Sequence, residues 1–185
     1  MLTREPTTGE VTGDTLTGAT SFLTRCHDMA KMHGRSNIQW TNVETRVVMK
    51  PVVQLERTGC GIASVAALAG VSYREAQRVA NRIGIFSDDP KLWSETHHVR
   101  RLLKEYGIRA ASTRVPFTSW EALPDRALLA VKWHNEGDRS SWHWVVFWQG
   151  PDGPVVLDSK RALRRHVRTD FGRIKPKWFI PVSSI

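Results

Sequence analysis

The order of the structural patterns along the 185-residue sequence predicts an α+β protein with N-terminal helices packed on a C-terminal antiparallel sheet. Residues 60–106 contain three helical patterns, whereas residues 108–182 contain short runs of β-branched and aromatic residues. A Gly-Pro-Asp-Gly sequence at 150–153 predicts a hairpin between two of these runs. Helices followed by a group of strands are typical of an α+β fold, not of an alternating parallel sheet.

The helical segments are identified by their apolar spacing and by the residues at their ends. The first has no charged residue, which predicts a buried helix, and Gly70 ends it. In the second, Ser72 and Glu75 have the spacing of a capping box. Gly107 ends the third. The predicted helices are Cys60–Leu68, Ser72 to about Ile83, and Ser94 or Thr96 to Tyr106, with a loop at 86–93 before the third.

The second half of the chain has the two-residue period of strands. A short helix is expected at Ser119–Leu123, between the first two strands. The predicted strands are Ile108–Val115, Leu128–Trp133, Trp142–Gln149, Val155–Asp158 and Trp178–Val182.

Composition divides the chain near Met49. Residues 1–48 contain five basic and five acidic side chains and isolated apolar residues, so we expect a poorly ordered polar extension. Residues 49–185 form the expected folded domain and carry the whole net charge of +9. The densest basic segment is 160–177, which is either a solvated face or a surface for an acidic partner or nucleic acid.

Several protein classes are excluded or disfavoured by composition. No apolar stretch approaches the roughly 20 residues that span a bilayer, so no membrane partner is expected. The N-terminus lacks the apolar core of a secretory signal, which favours a cytoplasmic location. The two cysteines, Cys26 and Cys60, exclude a multi-disulfide scaffold and a four-cysteine zinc site. The oligomeric state stays open.

Cys60 is the candidate nucleophile. It begins the first helix between Gly59 and Gly61, where free N–H groups and the helix dipole favour a thiolate and glycines let a substrate approach. The alternative is an inert cysteine buried at a helix start. Gln54 precedes it by six residues, and its amide is placed to donate to an oxyanion beside the Cys60 N–H.

His143 is the candidate base because it is a titratable residue that leads an otherwise apolar strand. The other six histidines are expected at the surface, and the adjacent pair His97–His98 lacks the spacing of a metalloprotease site, so no metal or cofactor is expected. Asp158 ends the strand that pairs with the His143 strand, and we expect it to orient the imidazole. The alternative is an ordinary strand-terminating aspartate.

The sequence Gln-x5-Cys-Gly-x-Ala, the strand led by His143, and Asp158 fifteen residues later together resemble the bacteriocin-processing, double-glycine leader peptidases. The resemblance spans Val52 to Ser159 and is strongest over 51–65. It implies a papain-like fold, with Cys60 as nucleophile, His143 as base and then acid, Asp158 as orienter and Gln54 as oxyanion donor. Two positions depart from the family pattern, since Gly59 replaces its usual Asp and Ser159 its frequent Pro. The family domain often precedes an ABC exporter, for which this chain has no segment.

Two functions follow from these features. The first is a stand-alone, bacterial cysteine peptidase or related thiol hydrolase acting on a peptide or protein, with deamidation or amide transfer as variants. Its cleft is expected between the loops Ser87–Glu95 and His134–Ser141, with Trp93, Trp133 and Trp142 as candidates for its lining. The second is an inactive binding module of the same fold that uses segment 160–177 for nucleic acid or an acidic protein.

Overall fold

A computed structural model describes residues 48–184 of the chain. The predicted N-terminal extension lies outside the described residues, apart from Val48, and its boundary stays a prediction. The described part contains three α-helices and a seven-stranded sheet. The α+β class is therefore as the sequence predicts. No helix within 48–184 is long and apolar enough to cross a membrane.

The three helices begin and end close to their predicted limits. They are α1 (Cys60–Ala69), α2 (Tyr73–Arg82) and α3 (His97–Glu105). Gly70 adopts a positive φ of 70° and ends α1 with a left-handed residue that glycine adopts without strain. The Ser72 side chain accepts a hydrogen bond from the Glu75 backbone N–H at 3.2 Å, as the capping box predicts.

The sheet is antiparallel throughout and its central strands come from distant parts of the sequence. Its order is β1-β7-β3-β4-β5-β6, and β2 also pairs with β7. The last strand thus inserts between the first and third, so local hairpins alone do not build the sheet. The strands are β1 (Ile108–Ala110), β2 (Val115–Pro116), β3 (Arg126–Glu136), β4 (Arg139–Gly150), β5 (Gly153–Asp158), β6 (Val167–Arg168) and β7 (Pro176–Ser184).

Strand alternation divides the buried side chains between two cores. Trp144 and Val146 of β4 pack with residues of all three helices in the larger, helix-side core. Val145 and Phe147 of the same strand belong to a smaller outer core, which Trp120 also contacts. Because neighbouring residues of a strand point to opposite faces, the sheet separates these cores.

Four sequence predictions on secondary structure were wrong in detail. The expected helix at 119–123 is a turn, in which the Ser119 hydroxyl accepts the Ala122 N–H. The expected strand at 108–115 is broken into β1 and β2. The expected loop 86–93 contains a 3-10 turn at Pro90–Trp93, and the expected loop 134–141 instead extends the β3–β4 hairpin. The extension shows no apolar alternation in the sequence because its residues are polar and none of its described side chains is buried.

Candidate active site

Cys60 occupies the first turn of α1 and is completely buried, with 0% of its surface exposed. Gly59 precedes it as the N-cap and no side chain caps the helix, so the backbone N–H groups at the start of the first turn have no intrahelical partners. A Cβ on Gly59 would lie 2.0 Å from the Tyr73 hydroxyl oxygen. A glycine is therefore needed at the position where the resembling family usually has an aspartate.

Gly61 is confined on the other side of the cysteine. A Cβ added there would lie 3.0 Å from Val99 Cγ1 and 3.4 Å from Trp144 Cδ1. The start of α1 thus lies in close contact with α3 and β4, and the two glycines let the helix carry Cys60 this near its neighbours.

His143 and Asp158 meet across the β4–β5 hairpin. Asp158 pairs with Val145, which makes His143 its diagonal neighbour, and His143 Nε2 lies 2.8 Å from Asp158 Oδ1. The Cys60 side chain lies near the ring and acts on its pKa. With Nε2 directed at Asp158, Nδ1 is the nitrogen left for Cys60. The structure therefore brings Cys60, His143 and Asp158 together in one chain of side chains.

Electrostatics in this chain favour a protonated imidazole. Burial opposes the charged form of His143, but its hydrogen bond to Asp158 and its interactions with the Asp158 and Cys60 groups raise its pKa to about 9. Burial likewise opposes ionisation of Asp158, yet the His143 hydrogen bond and charge, the Lys160 N–H and Arg168 lower its pKa to about 2. Asp158 thus stays charged over a wide pH range and stabilises a positive His143.

Three donors hold the Asp158 carboxylate, which is 1% exposed. Oδ1 accepts from His143 and, at 3.0 Å, from the Lys160 backbone N–H, while Oδ2 accepts from Arg168 Nη1 at 3.1 Å. Arg168 also forms two bonds with Asp170. The role of Arg168 could not be predicted from the sequence because this residue lies on β6, a two-residue strand inside the basic segment that has no hydrophobic pattern.

Gln54 lies beside these residues, but its amide is already engaged. Nε2 donates to the carbonyls of Glu56 at 2.9 Å and Arg57 at 2.8 Å, and Oε1 accepts from the Ser159 hydroxyl at 3.0 Å. The Gln54 backbone N–H also donates to the Ser159 carbonyl at 3.0 Å. Gln54 therefore shapes the loop before Cys60 and joins it to the end of β5.

A second network supports the same loop and was not predicted. The Tyr73 hydroxyl donates to Glu56 Oε2, and Gln77 Nε2 donates to Glu56 Oε1 and to the Ser87 hydroxyl, each at 2.9 Å. The sequence contained no signal for this contact because Glu56 and Tyr73 belong to different elements. Burial and the Glu56 carboxylate raise the pKa of Tyr73 well above its ordinary value, so it stays a donor.

A cleft of about 670 Å³ opens beside the site, and His143 and Gln54 line it. Trp93 and Trp142 also line it as expected, whereas Trp133 lies 5.1 Å from Lys177 Nζ beside a neighbouring pocket. Cys60 does not reach the cleft surface. A substrate in the cleft therefore meets the imidazole first, and the sulfur lies behind it.

One group of described residues could hold a divalent cation. Ligand atoms of Glu95, His97 and His98 lie within 4.8 Å of one another, and Glu95 Oε2 is 2.9 Å from His97 Nδ1 and 3.4 Å from His98 Nε2. None of the three lines the cleft. His98 corrects the expectation of a surface histidine, since it is buried in the first turn of α3, and burial and the neighbouring His97 lower its pKa.

Comparison with known proteins supports the fold alone. No family model matches the chain, and no curated protein sequence matches it. The chain is similar to the crystal structure of a double-glycine motif protease from an AMS/PCAT transporter in complex with the leader peptide. The similarity has a TM-score of 0.50 at 17% identity and covers 76% of this chain and 94% of that one. The resemblance seen in the sequence thus extends to the α+β fold.

Proposed function

We propose that this protein is a cysteine peptidase that cleaves an amide bond of a peptide or protein through an acyl-enzyme on Cys60. The observation that carries the proposal is the position of His143, whose ring is hydrogen-bonded to Asp158 at 2.8 Å and lies near Cys60. A nucleophile, a base and a group that orients the base are the parts that thiol acyl transfer requires.

The proposed amide cleavage passes through a thioester on Cys60. The Cys60 thiolate attacks the amide carbon, and the carbonyl π electrons move to oxygen to form a tetrahedral intermediate. As the intermediate collapses, the C–N bond breaks and His143 Nδ1 gives its proton to the leaving nitrogen. The neutral imidazole then takes a proton from water, whose oxygen attacks the thioester, and the carboxylic acid and Cys60 are released. Asp158 keeps Nε2–H in place throughout.

The oxyanion has two candidate donors. The Cys60 backbone N–H lies at the start of α1, where helix geometry leaves it unpaired. Gln54 is the second donor, and it has to exchange one of its two bonds to the Glu56 and Arg57 carbonyls for the oxyanion. Gln54 thus stabilises the loop in the free protein and the intermediate during reaction.

Burial of Cys60 adds a requirement, because a sulfur with 0% exposure cannot reach a carbonyl without movement at the cleft floor. We expect iodoacetamide to alkylate Cys60 at a rate limited by this opening and to depend on pH through the His143 pair. Mass spectrometry across pH 4 to 9 measures this rate, and replacing His143 with Ala should remove the pH dependence.

The direct test compares Cys60→Ala with Cys26→Ser on a peptide library analysed by mass spectrometry. Cleavage should disappear in Cys60→Ala and persist in Cys26→Ser, while thermal unfolding of Cys60→Ala stays cooperative. Turnover retained by purified Cys60→Ala would contradict the proposal. The pair of variants separates the chemistry of Cys60 from a general effect of removing a thiol.

A binding module is the second candidate, favoured by the inaccessible Cys60 and by the basic segment 160–177. If phosphate contacts drive binding to duplex DNA, the logarithm of the binding constant should fall with the logarithm of salt concentration, with a slope of about −0.9 per phosphate contact. Absent or salt-independent binding would remove this alternative.

A further inference from the structure

We propose that the cleft selects an acidic peptide segment and that Lys132 and Lys160, beside His143, form the subsite for a carboxylate of the substrate. This inference rests on the proposed function and adds the chemical class of its substrate. Three observations support it: the charge of the cleft lining, the backbone conformation of Lys132, and the presence of both lysines in the cleft lining.

The cleft lining is strongly positive. Among the lining residues whose side chains the structure describes, Glu56 is the one carboxylate, and its two oxygens already accept hydrogen bonds from Tyr73 and Gln77. Among the described side chains, which exclude that of Glu136, none of the lining lysines and arginines forms an ion pair with an acidic group. An anionic substrate would supply the missing charge. These lining cations are Arg57, Lys132, Arg139, Lys160 and Arg161.

Lys132 adopts a backbone conformation that lysine rarely takes. Its φ is 52°, and it is the one non-glycine residue with positive φ in the described part of the chain. It lies in a β-bulge, where the β3–β4 register shifts between Val131 and His134. Val131 is the cross-strand partner of His143, so the bulge places Lys132 one residue from the neighbour of the proposed base. Such strain persists where the surrounding structure requires it, frequently at binding sites.

Lys132 and Lys160 both belong to the cleft lining. Burial and the adjacent Lys160 lower the pKa of Lys132, whereas Asp158 opposes this shift. Asp158 carries a single negative charge, and the two cations His143 and Arg168 already bind it directly, so it leaves the lysine pair with excess positive charge. Two like charges side by side are unfavourable, and a bound carboxylate between them would relieve the repulsion.

The remaining lining favours a peptide over a nucleic acid. Leu55, Pro90, Trp93 and Trp142 give the cleft an apolar side that fits side chains of a peptide, and Arg57 already covers the Trp93 ring at 5.3 Å. The adjacent Cys60–His143 pair acts on amides under the proposed function. The carboxylate has two possible sources, an Asp or Glu side chain and the free C-terminus of a peptide.

The test measures fluorescence anisotropy of labelled peptides on the Cys60→Ala protein, which binds without turnover. Four peptides of one sequence combine a central Glu or Gln with a free or amidated C-terminus. We expect the Glu peptides to bind about tenfold more tightly than the Gln peptides at low salt, as one well-placed ion pair allows. A preference for the free C-terminus alone would assign the subsite to the chain end.

The matched variants are Lys132→Gln and Lys104→Gln, the latter changing an exposed lysine of α3 away from the cleft. Lys132→Gln should remove the preference, and Lys104→Gln should retain it. Because the positive φ makes Lys132→Gln vulnerable to misfolding, Lys132→Gly provides a second variant that accepts this conformation. Cooperative thermal unfolding of both variants is the control.

Equal affinity for all four peptides, or no binding of any, would overturn the inference. So would an oligonucleotide that binds more tightly than the Glu peptide with the same dependence on Lys132. Cleavage of Glu and Gln peptides at equal rates by the wild type would support the proposed peptidase activity and reject the charge preference. Selective binding of Glu peptides with no cleavage of any library peptide would retain the subsite and reject the peptidase.

Discussion

Cys60 and His143 are contributed by two regions that are held together differently. The helical side, residues 59–69, is held by close packing: α1 is buried over nearly its whole length, and a Cβ added at Gly59 or Gly61 would meet Tyr73 or Trp144. The sheet side, built by β4, β5 and β6, is held around Asp158 by charged hydrogen bonds. The stability of packed contacts depends on side-chain volume and little on pH. The stability of charged hydrogen bonds depends on pH, because the charges of the groups change with it.

This difference predicts that substitutions on the two sides should have different effects on stability and activity. Added volume on the helical side should lower the free energy of unfolding and reduce activity only through loss of folded protein. Changed charge on the sheet side should alter activity and pH dependence while the fold persists. The four variants below are ordered from the largest expected effect to the smallest.

Asp158→Asn should reduce turnover by roughly 10³- to 10⁴-fold, because an amide cannot stabilise the imidazolium and can select the wrong tautomer. Asparagine has nearly the same shape as aspartate, so unfolding should stay cooperative. Steady-state rates together with the rate of Cys60 alkylation measure the effect. A variant with near-normal turnover would mean that Asp158 is only a structural acceptor for Arg168 and Lys160.

His143 should make the free energy of unfolding depend on pH in the alkaline range. Its pKa is about 9 in the folded protein and about 6.5 in an unfolded chain, so its contribution is fully present below pH 6.5 and is lost as pH rises through 9. The contribution is on the order of 3 kcal/mol. Urea unfolding of wild type and His143→Gln from pH 5.5 to 10 should show a difference that shrinks over this window. A pH-independent difference would refute an ionised pair.

Gly59→Ala tests the packing of the helical side. The added methyl collides with the Tyr73 hydroxyl and should destabilise the protein by about 1–3 kcal/mol, equally at pH 6 and pH 9. Tyr73→Phe removes the hydroxyl, so Gly59→Ala should cost less in that background. Denaturant unfolding of the four proteins gives the coupling energy. Additive effects would contradict the proposed contact.

Arg168→Gln should have the smallest effect. Loss of the guanidinium raises the pKa of Asp158, so the variant should lose on the order of 1 kcal/mol above pH 4, and the loss should vanish as pH falls toward 2. Arg164→Gln, an exposed residue of the same basic segment, is the matched control. Acid unfolding followed by tryptophan fluorescence measures both. Identical curves for Arg168→Gln and wild type would show that Arg168 does not act on Asp158.

Local patterns account for much of the fold. The helix limits followed from apolar spacing, glycines and the Ser72–Glu75 capping box, which depend on neighbours within one or two turns. The approach of His143 and Asp158 could also be predicted, because both lie on one hairpin whose turn sets the strand register. Which chemistry they perform stays a proposal.

Other features could not be read from local patterns. Insertion of β7 between β1 and β3 joins segments far apart in sequence, and the two-residue strand β6 is too short to show a period. The bulge that carries Lys132 depends on partners on both sides of β3, since both registers shift there. The engaged amide of Gln54 reflects a contact with Ser159, 105 residues away.

The sequence by itself determined the elements, their order, and which residue types were available for chemistry, because helix caps, strand alternation and hairpin turns are short-range effects. Only the tertiary structure decided that His143 lies between Cys60 and Asp158, that Cys60 is buried behind the cleft, and that lysines converge beside it. These outcomes depend on how helices and strands pack across long loops, and that packing is decided by the summed burial and charge pairing of the whole domain.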